Sequence, residues 1–172
     1  RFLVIGGGPA GSAAATAAAA GGAAVTLVES EVLGGASQLR DCIPSKALVA
    51  SVTGLAGIRA SGHLGGADPG PLRPDIARLT ERRLSIGTLV SASLRGRLEA
   101  LGVRVLEGRA RFSGPNAATV VGAGGQSTVV EFDQALIATG SVPRVPSWAQ
   151  PDGARVLTSR QAYRLAEAPE KA

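Results

Sequence analysis

Six residues near the start, Gly6-Gly7-Gly8-Pro9-Ala10-Gly11, constrain this chain more than any others. They satisfy the spacing G-x-G-x-x-G. Phe2-Leu3-Val4-Ile5 before them reads as a buried parallel strand, and Ser12 to Ala20 reads as an alanine-rich helix stopped by Gly21-Gly22. Ala24-Val25-Thr26-Leu27-Val28 reads as the next strand. A β-α-β unit is therefore expected within the first thirty residues. Each glycine has its own reason at this spacing. Gly6 permits a tight turn out of the strand, Gly8 lets main chain approach a diphosphate, and Gly11 lets helix pack close to strand. Pro9 and Ala10 belong to the same phosphate-binding turn, and the N-terminus of the helix that follows offers amide donors and partial positive charge to an anion. Glu29, followed by Ser30, closes the second strand. An acid about twenty positions on suits the hydroxyls of a ribose and repels a 2′-phosphate. The turn alone fits NAD or FAD equally. The competing reading is a structural glycine turn with a surface glutamate.

The chain of 172 residues is long enough for one domain with a substantial core. Hydrophobic residues make up 45%, much of it alanine, with 24 glycines and only 3% aromatics. That suits a tightly packed α/β domain and excludes disorder. No apolar run approaches the length of a membrane span. No signal peptide is expected, and because the sequence starts at Arg1 and not at Met, further residues are expected upstream. The net charge of +5 comes from arginines spread along the chain without aromatics to stack on bases, so no nucleic-acid partner is expected. A single cysteine offers no disulfide framework and fits the cytoplasm. No metal site is expected.

Downstream, a helix is expected from about Pro44 to Leu55, then a Gly- and Pro-rich loop over 61–74. Asp75 to Leu101 reads as one long helix with a possible break near Gly87, followed by a strand at Val103–Glu107. Ala118 to Phe132 reads as a hairpin turning at Gly122–Gly125, and Ala135–Ala138 as another buried strand. Residues 151–172 read as a polar tail with a short helix near Ser159–Leu165. His63, the sole histidine, is expected as a surface loop residue.

The run Gly34-Gly35-Ala36-Ser37-Gln38-Leu39-Arg40-Asp41-Cys42-Ile43-Pro44-Ser45-Lys46 resembles the redox segment of the pyridine nucleotide-disulfide oxidoreductases. That family includes dihydrolipoamide dehydrogenase, glutathione reductase and mercuric reductase, and its pattern is similar to G-G-T-C-x-x-x-x-C-x-P-S-K. Here the second cysteine is Cys42, and Ser37 stands where the first would be. A hydroxyl cannot undergo thiol-disulfide exchange. The neighbours Ala36, Gln38, Arg40 and Asp41 also depart from the usual residues, as in a divergent natural branch. Asp41-Cys42 and Gln150-Pro151-Asp152-Gly153 resemble the branch that lacks the first cysteine and behaves as NAD(P)H-dependent quinone reductase.

The resemblance decides for FAD at the first turn. It implies that Cys42 faces the flavin, where a helix start favours a thiolate. The plainer reading of Cys42 is a small buried hydrophobe. Only Lys46 and Lys171 among 18 basic residues are lysine. By resemblance, Lys46 places a compact positive charge near the flavin N5; otherwise it is a solvated helix residue. Gly108-Arg109-Ala110-Arg111-Phe112 resembles a segment whose main chain contacts adenine, and Ala138-Thr139-Gly140-Ser141 with Pro143 resembles the A-T-G-S-x-P segment near the flavin. Gly35, Ala36 and Ser37 join the cofactor-binding set on the same ground.

The implied fold is a three-layer FAD/NAD(P)-binding, Rossmann-like α/β domain. It has a parallel sheet with helices on one face and an antiparallel β-meander on the other. Residues 1–150 are expected as the N-terminal segment of the FAD-binding domain, and 151–172 as the connection toward an NAD(P)-binding domain not in this sequence. The implied whole is a cytoplasmic homodimeric enzyme passing hydride from NAD(P)H to FAD and electrons to a small-molecule, quinone-like acceptor. Disulfide reduction of the dihydrolipoamide dehydrogenase type and a non-catalytic nucleotide-binding module are the alternatives.

Overall fold

The computed structural model describes residues 1–63, 65, 70, 74–163, 165 and 167. In chain order the elements begin β1 (Phe2–Ile5), α1 (Pro9–Ala20), β2 (Val25–Glu29), α2 (Ala36–Leu39), α3 (Cys42–His63) and α4 (Ile76–Ala100). They continue β3 (Arg104–Glu107), β4 (Arg109–Gly114), β5 (Ala117–Val121), β6 (Ser127–Glu131), β7 (Gln134–Ile137) and α5 (Ser159–Ala162). These fall into two compact units: Arg1–Leu39 with Thr88–Val142, and Arg40–Gly87 with Pro143–Ala172.

The first unit is built around β1. A parallel sheet runs β3-β2-β1-β7, with Phe2 opposite Val25 on one side and Gln134 on the other. Because side chains alternate along a strand, β1 serves two cores. Val4 and Phe2 pack on one face with Ala15, Ala18 and Ala19 of α1 and Leu94 and Leu98 of α4. Leu3 and Ile5 pack on the other face with Ala118, Val120, Val130 and Phe132. A central strand buried on both sides must be apolar throughout, and β1 is. The second core is roofed by the antiparallel sheet β4-β5-β6, whose Phe112 meets Phe132 edge to face at 5.7 Å. The three expected layers are therefore present.

Small residues make α1 fit. Ala15 is fully buried, where a larger side chain would hold the helix away from the sheet. The helix ends as the glycine pair predicts: Gly22 N–H donates to the Ala19 carbonyl and Ala23 N–H to that of Ala18. Its start differs from expectation, at Pro9 rather than Ser12. Proline there lacks only an N–H that a first turn would leave unused.

In the second unit α3 begins at Cys42, two residues before the expected start, and runs to His63 rather than Leu55. Gly54 and Gly57 do not stop it, because a helix ends on glycine only where the chain turns left-handed, and neither does so. His63 thus ends a helix instead of lying in a loop; most of the expected 61–74 loop falls outside the described residues. Asp75 caps α4, its Oδ1 accepting from Arg78 N–H at 3.0 Å, and the helix passes Gly87 unbroken. Thr158 and Gln161 form a capping box on α5, which ends at Ala162, short of the expected Leu165. Lys171 lies outside the described residues.

Asp152 Oδ1 accepts from the amides of Ala154, Arg155 and Val156 at 2.8–2.9 Å. Those donors, Val156 foremost, hold its carboxyl below the ordinary carboxylate range. A depressed native value stabilises this turn above the unfolded pKa of about 3.9, and the contribution is lost as pH falls through the native value. The Asp152 carboxyl carbon followed by NMR is expected to titrate below pH 3.9. A midpoint at or above that value would mean the three amides do not hold the charge.

Candidate functional site

At the carboxyl end of β1 the chain turns at Gly6, whose φ is 103°. Its N–H donates to the Val28 carbonyl at 2.8 Å. A Cβ there would stand 2.3 Å from the Ala138 carbonyl oxygen and 3.1 Å from the Thr139 Cα. Ala138 N–H in turn donates to the Ile5 carbonyl at 2.8 Å. The main chain of Ala138-Thr139-Gly140 therefore crosses directly over the turn. A Cβ on Gly11 would stand 1.8 Å from the Gly6 carbonyl oxygen. Both glycines are demanded by the protein's own packing.

Gly8 is different. Its φ of −67° and ψ of −175° suit any residue, and a Cβ there would meet no atom within 4 Å. Nothing in the first unit requires glycine at this position, so the free space beside it is where a ligand can approach main chain. Gly8 is also the N-cap of α1 and offers no side-chain cap. The amides of Gly8, Ala10 and Gly11 have no acceptor within an α-helix, and Pro9 and Ala10 are exposed. The strand order puts β2 on one side of β1 and β7 on the other, and open α/β sheets bind ligands at this reversal, outside the carboxyl ends.

Glu29, half-buried at the end of β2, has a role the sequence reading missed. Its Oε2 accepts from Gly7 N–H at 2.7 Å and its Oε1 from Glu31 N–H at 2.8 Å. It thus pins the middle of the glycine turn, while a carboxylate keeps further lone-pair positions free. The signal was available in principle: a glutamate ending β2 lies beside the turn that ends β1. Ser30 is exposed next to it. The Glu29 carbonyl accepts from Gly108 N–H at 2.8 Å, which starts β4 at the edge of the same crevice. Arg109 there is exposed and Ala110 packs on the meander-side core.

Gly34 and Gly35 complete the arrangement. Gly34 N–H donates to the Gly7 carbonyl at 2.8 Å, and a Cβ on Gly35 would lie 3.0 Å from the Gly8 Cα. Ala36 opens α2, and Ser37 Oγ donates to the Gly34 carbonyl at 2.6 Å. One unit thus brings together Gly6, Gly8, Pro9, Ala10, Gly11, Glu29, Gly35, Ala36, Ser37 and the main chain of Ala138-Thr139-Gly140.

Cys42 and Lys46 belong to the second unit. Cys42 is the first residue of α3 and is exposed, unlike the small buried hydrophobe that was its plainer reading. Lys46, four residues on, is exposed on the same helical face. Ser45 Oγ donates to the Asp41 carbonyl at 2.6 Å across this first turn. Among the described residues no three His, Cys, Asp or Glu side chains gather to hold a metal, and no helix is long and apolar enough to cross a membrane.

The strand order, the glycine turn and the glutamate ending β2 define a Rossmann-like dinucleotide-binding fold. The family described as pyridine nucleotide-disulphide oxidoreductase matches residues 1–172, and the chain belongs to it. It is 36% identical over 153 residues to an NAD(P)H dehydrogenase (quinone) of Mycobacterium tuberculosis, covering 85% of this chain and 31% of that protein. It is 36% identical over 172 residues to dihydrolipoyl dehydrogenase 2 of Haloarcula marismortui, covering 98% of this chain and 36% of that one. The solved structure of LpdA from Mycobacterium tuberculosis superimposes with a TM-score of 0.79 at 34% identity, over 97% of this chain and 38% of that one. The flavoprotein disulfide reductase RclA from Escherichia coli shares the fold, with a TM-score of 0.70 at 23% identity, over 97% of this chain and 34% of that one. The chain spans about a third of the length of these curated relatives.

Proposed function

We propose that the whole protein is a FAD-dependent oxidoreductase that takes hydride from NAD(P)H and passes electrons to a quinone-like acceptor. The observation that carries the acceptor is Ser37, whose hydroxyl is committed to the Gly34 carbonyl where the family pattern has the first cysteine. Cys42 is the only cysteine of the sequence, so this segment has no dithiol to pass electrons through. The likeness to an NAD(P)H dehydrogenase (quinone) supports the same reading.

The residues present fit the cofactor. The open side of Gly8 admits a diphosphate, and the amides of Gly8, Ala10 and Gly11 can donate to it with the α1 dipole behind them. Glu29 can accept from ribose hydroxyls with the lone pairs its two amide partners leave free. Gly35, Ala36, Ser37 and the main chain of Ala138-Thr139-Gly140 line the same crevice, with Ser30, Arg109 and Ala110 toward the adenosine end. When bound, FAD supplies the two-electron chemistry. Cys42 and Lys46 are assigned to the flavin ring, the lysine as a compact positive charge that stabilises negative charge. Residues 1–150 are the N-terminal segment of the FAD-binding domain and 151–172 lead toward an NAD(P)-binding domain. The whole acts as a cytoplasmic homodimer.

Anaerobic titration of the whole protein with NADH tests this. Uptake is expected to stop at about two electrons per FAD. About four, with a long-wavelength charge-transfer band, would establish the disulfide-reductase reading instead, which the dihydrolipoyl dehydrogenase relatives favour. Protein that stays colourless after reconstitution with FAD would leave a nucleotide-binding module.

A further inference from the structure

The geometry points to Ser37 as a positioning residue for the dinucleotide cradle, an inference that rests on the flavin reading above. Gly34 and Gly35 take φ values of 96° and 57° in succession, a left-handed pair that the chain must hold in place. Several contacts do so, among them Gly35 N–H to the Val32 carbonyl at 2.9 Å and Leu39 N–H to the Gly35 carbonyl at 3.3 Å. Gly34 N–H donates to the Gly7 carbonyl at 2.8 Å, tying the pair to the middle of the phosphate turn. Gln38 N–H donates to the Gly35 carbonyl at 3.1 Å. The half-buried Ser37 Oγ donates to the Gly34 carbonyl at 2.6 Å, closing the turn on itself.

Gln38 lays its side chain over Gly34, where a Cβ would stand 2.1 Å from Gln38 Cγ. That side chain covers Gly34 on the side toward α2. On its other side, Gly35 lies directly against Gly8, the glycine whose free space admits the ligand. The Gly34–Gly35 main chain is thus a wall of the cradle, and Ser37 sets where that wall stands. The position where the family pattern has a cysteine holds here a hydroxyl latch on the phosphate turn. Its contribution requires no electron transfer, so it persists in every oxidation state of the protein.

The test uses the full-length protein, stripped of flavin and titrated with FAD. Ser37→Ala is expected to raise the FAD dissociation constant about fivefold, the loss of one hydrogen bond. Ser37→Thr, which keeps the hydroxyl, should restore affinity. Amide exchange at Gly34 should quicken in Ser37→Ala while β1 and β2 keep their protection. If Ser37→Ala does not fold, Ser37→Cys under reductant replaces it, since a thiol of similar size is a poorer donor and should still weaken FAD. Unchanged FAD affinity in the variant, or failure of threonine to restore it, overturns the latch while leaving the flavin reading intact. Wild-type protein that takes up no FAD overturns both, and that result is visible before any variant is made.

Discussion

Gly8→Ala is expected to fold and melt like the wild-type protein and yet to hold FAD ten- to a hundredfold more weakly. The two halves of this expectation come from separate observations. The new methyl meets no protein atom within 4 Å, and the backbone angles at Gly8 are ordinary for any residue. The fold therefore has nothing to lose. On the proposed function, the space it enters is the space a diphosphate needs in order to reach the amides at the start of α1. Losing one charge-assisted hydrogen bond costs about 1.5–3 kcal/mol, which is roughly one to two powers of ten in affinity. Thermal unfolding of the flavin-free protein and fluorescence titration with FAD measure the two separately. A variant that binds FAD as tightly as wild type would show that the open side of Gly8 is solvent and nothing more.

Gly11→Ala is expected to do the opposite and damage the fold itself. Its methyl would stand 1.8 Å from the Gly6 carbonyl oxygen and 3.2 Å from Val4 Cγ1. The first of these is backbone and cannot rotate away, so α1 must move off β1. That move opens the core in which Ala15 and Val4 are both fully buried. Overpacking of this kind costs about 1–3 kcal/mol and occasionally more, and a backbone collision belongs at the upper end. Against a total stability of about 5–15 kcal/mol, a drop of about 3 kcal/mol lowers the midpoint by several degrees. Chemical denaturation of the flavin-free protein measures it directly. A Gly11→Ala protein as stable as wild type would mean that helix and strand are less closely packed than the structure has them.

These two glycines look identical in the sequence and carry different burdens, which marks the boundary of what was legible there. The spacing of Gly6, Gly8 and Gly11 announced the β-α-β unit because Gly6 and Gly11 answer steric demands that recur wherever strand, turn and helix meet in this way. The unbroken apolar run of β1 announced a buried strand. The hairpin of β5 and β6 was legible from its glycine-rich turn, whereas β4 was not called as a strand, because its exposed Arg109 and Arg111 mask the pattern. Length was harder to read for α3. The helix continues through Gly54 and Gly57 past the expected end at Leu55, because glycine only permits a left-handed exit and does not compel one.

The site was legible in its list of residues more than in their connections. Glu29 was assigned to a ligand's hydroxyls, and the structure has it holding Gly7 and Glu31 as well. Ser37 stood out as a missing thiol, and its bond to the Gly34 carbonyl is a contact between neighbours that no motif encodes. Main-chain contacts such as Gly108 N–H to the Glu29 carbonyl join positions far apart in the chain. They depend on three-dimensional register, which composition and spacing do not carry.

The pairing of β1 with both β2 and β7 has a consequence for biogenesis. Phe2 meets Val25 early, but its other neighbour is Gln134. A ribosome adding about 5–20 residues each second needs on the order of ten seconds to deliver that partner. Throughout that delay a strand meant for the middle of a sheet has one flank bare, and so presents nascent-chain chaperones with a sticky edge that vanishes once β7 arrives.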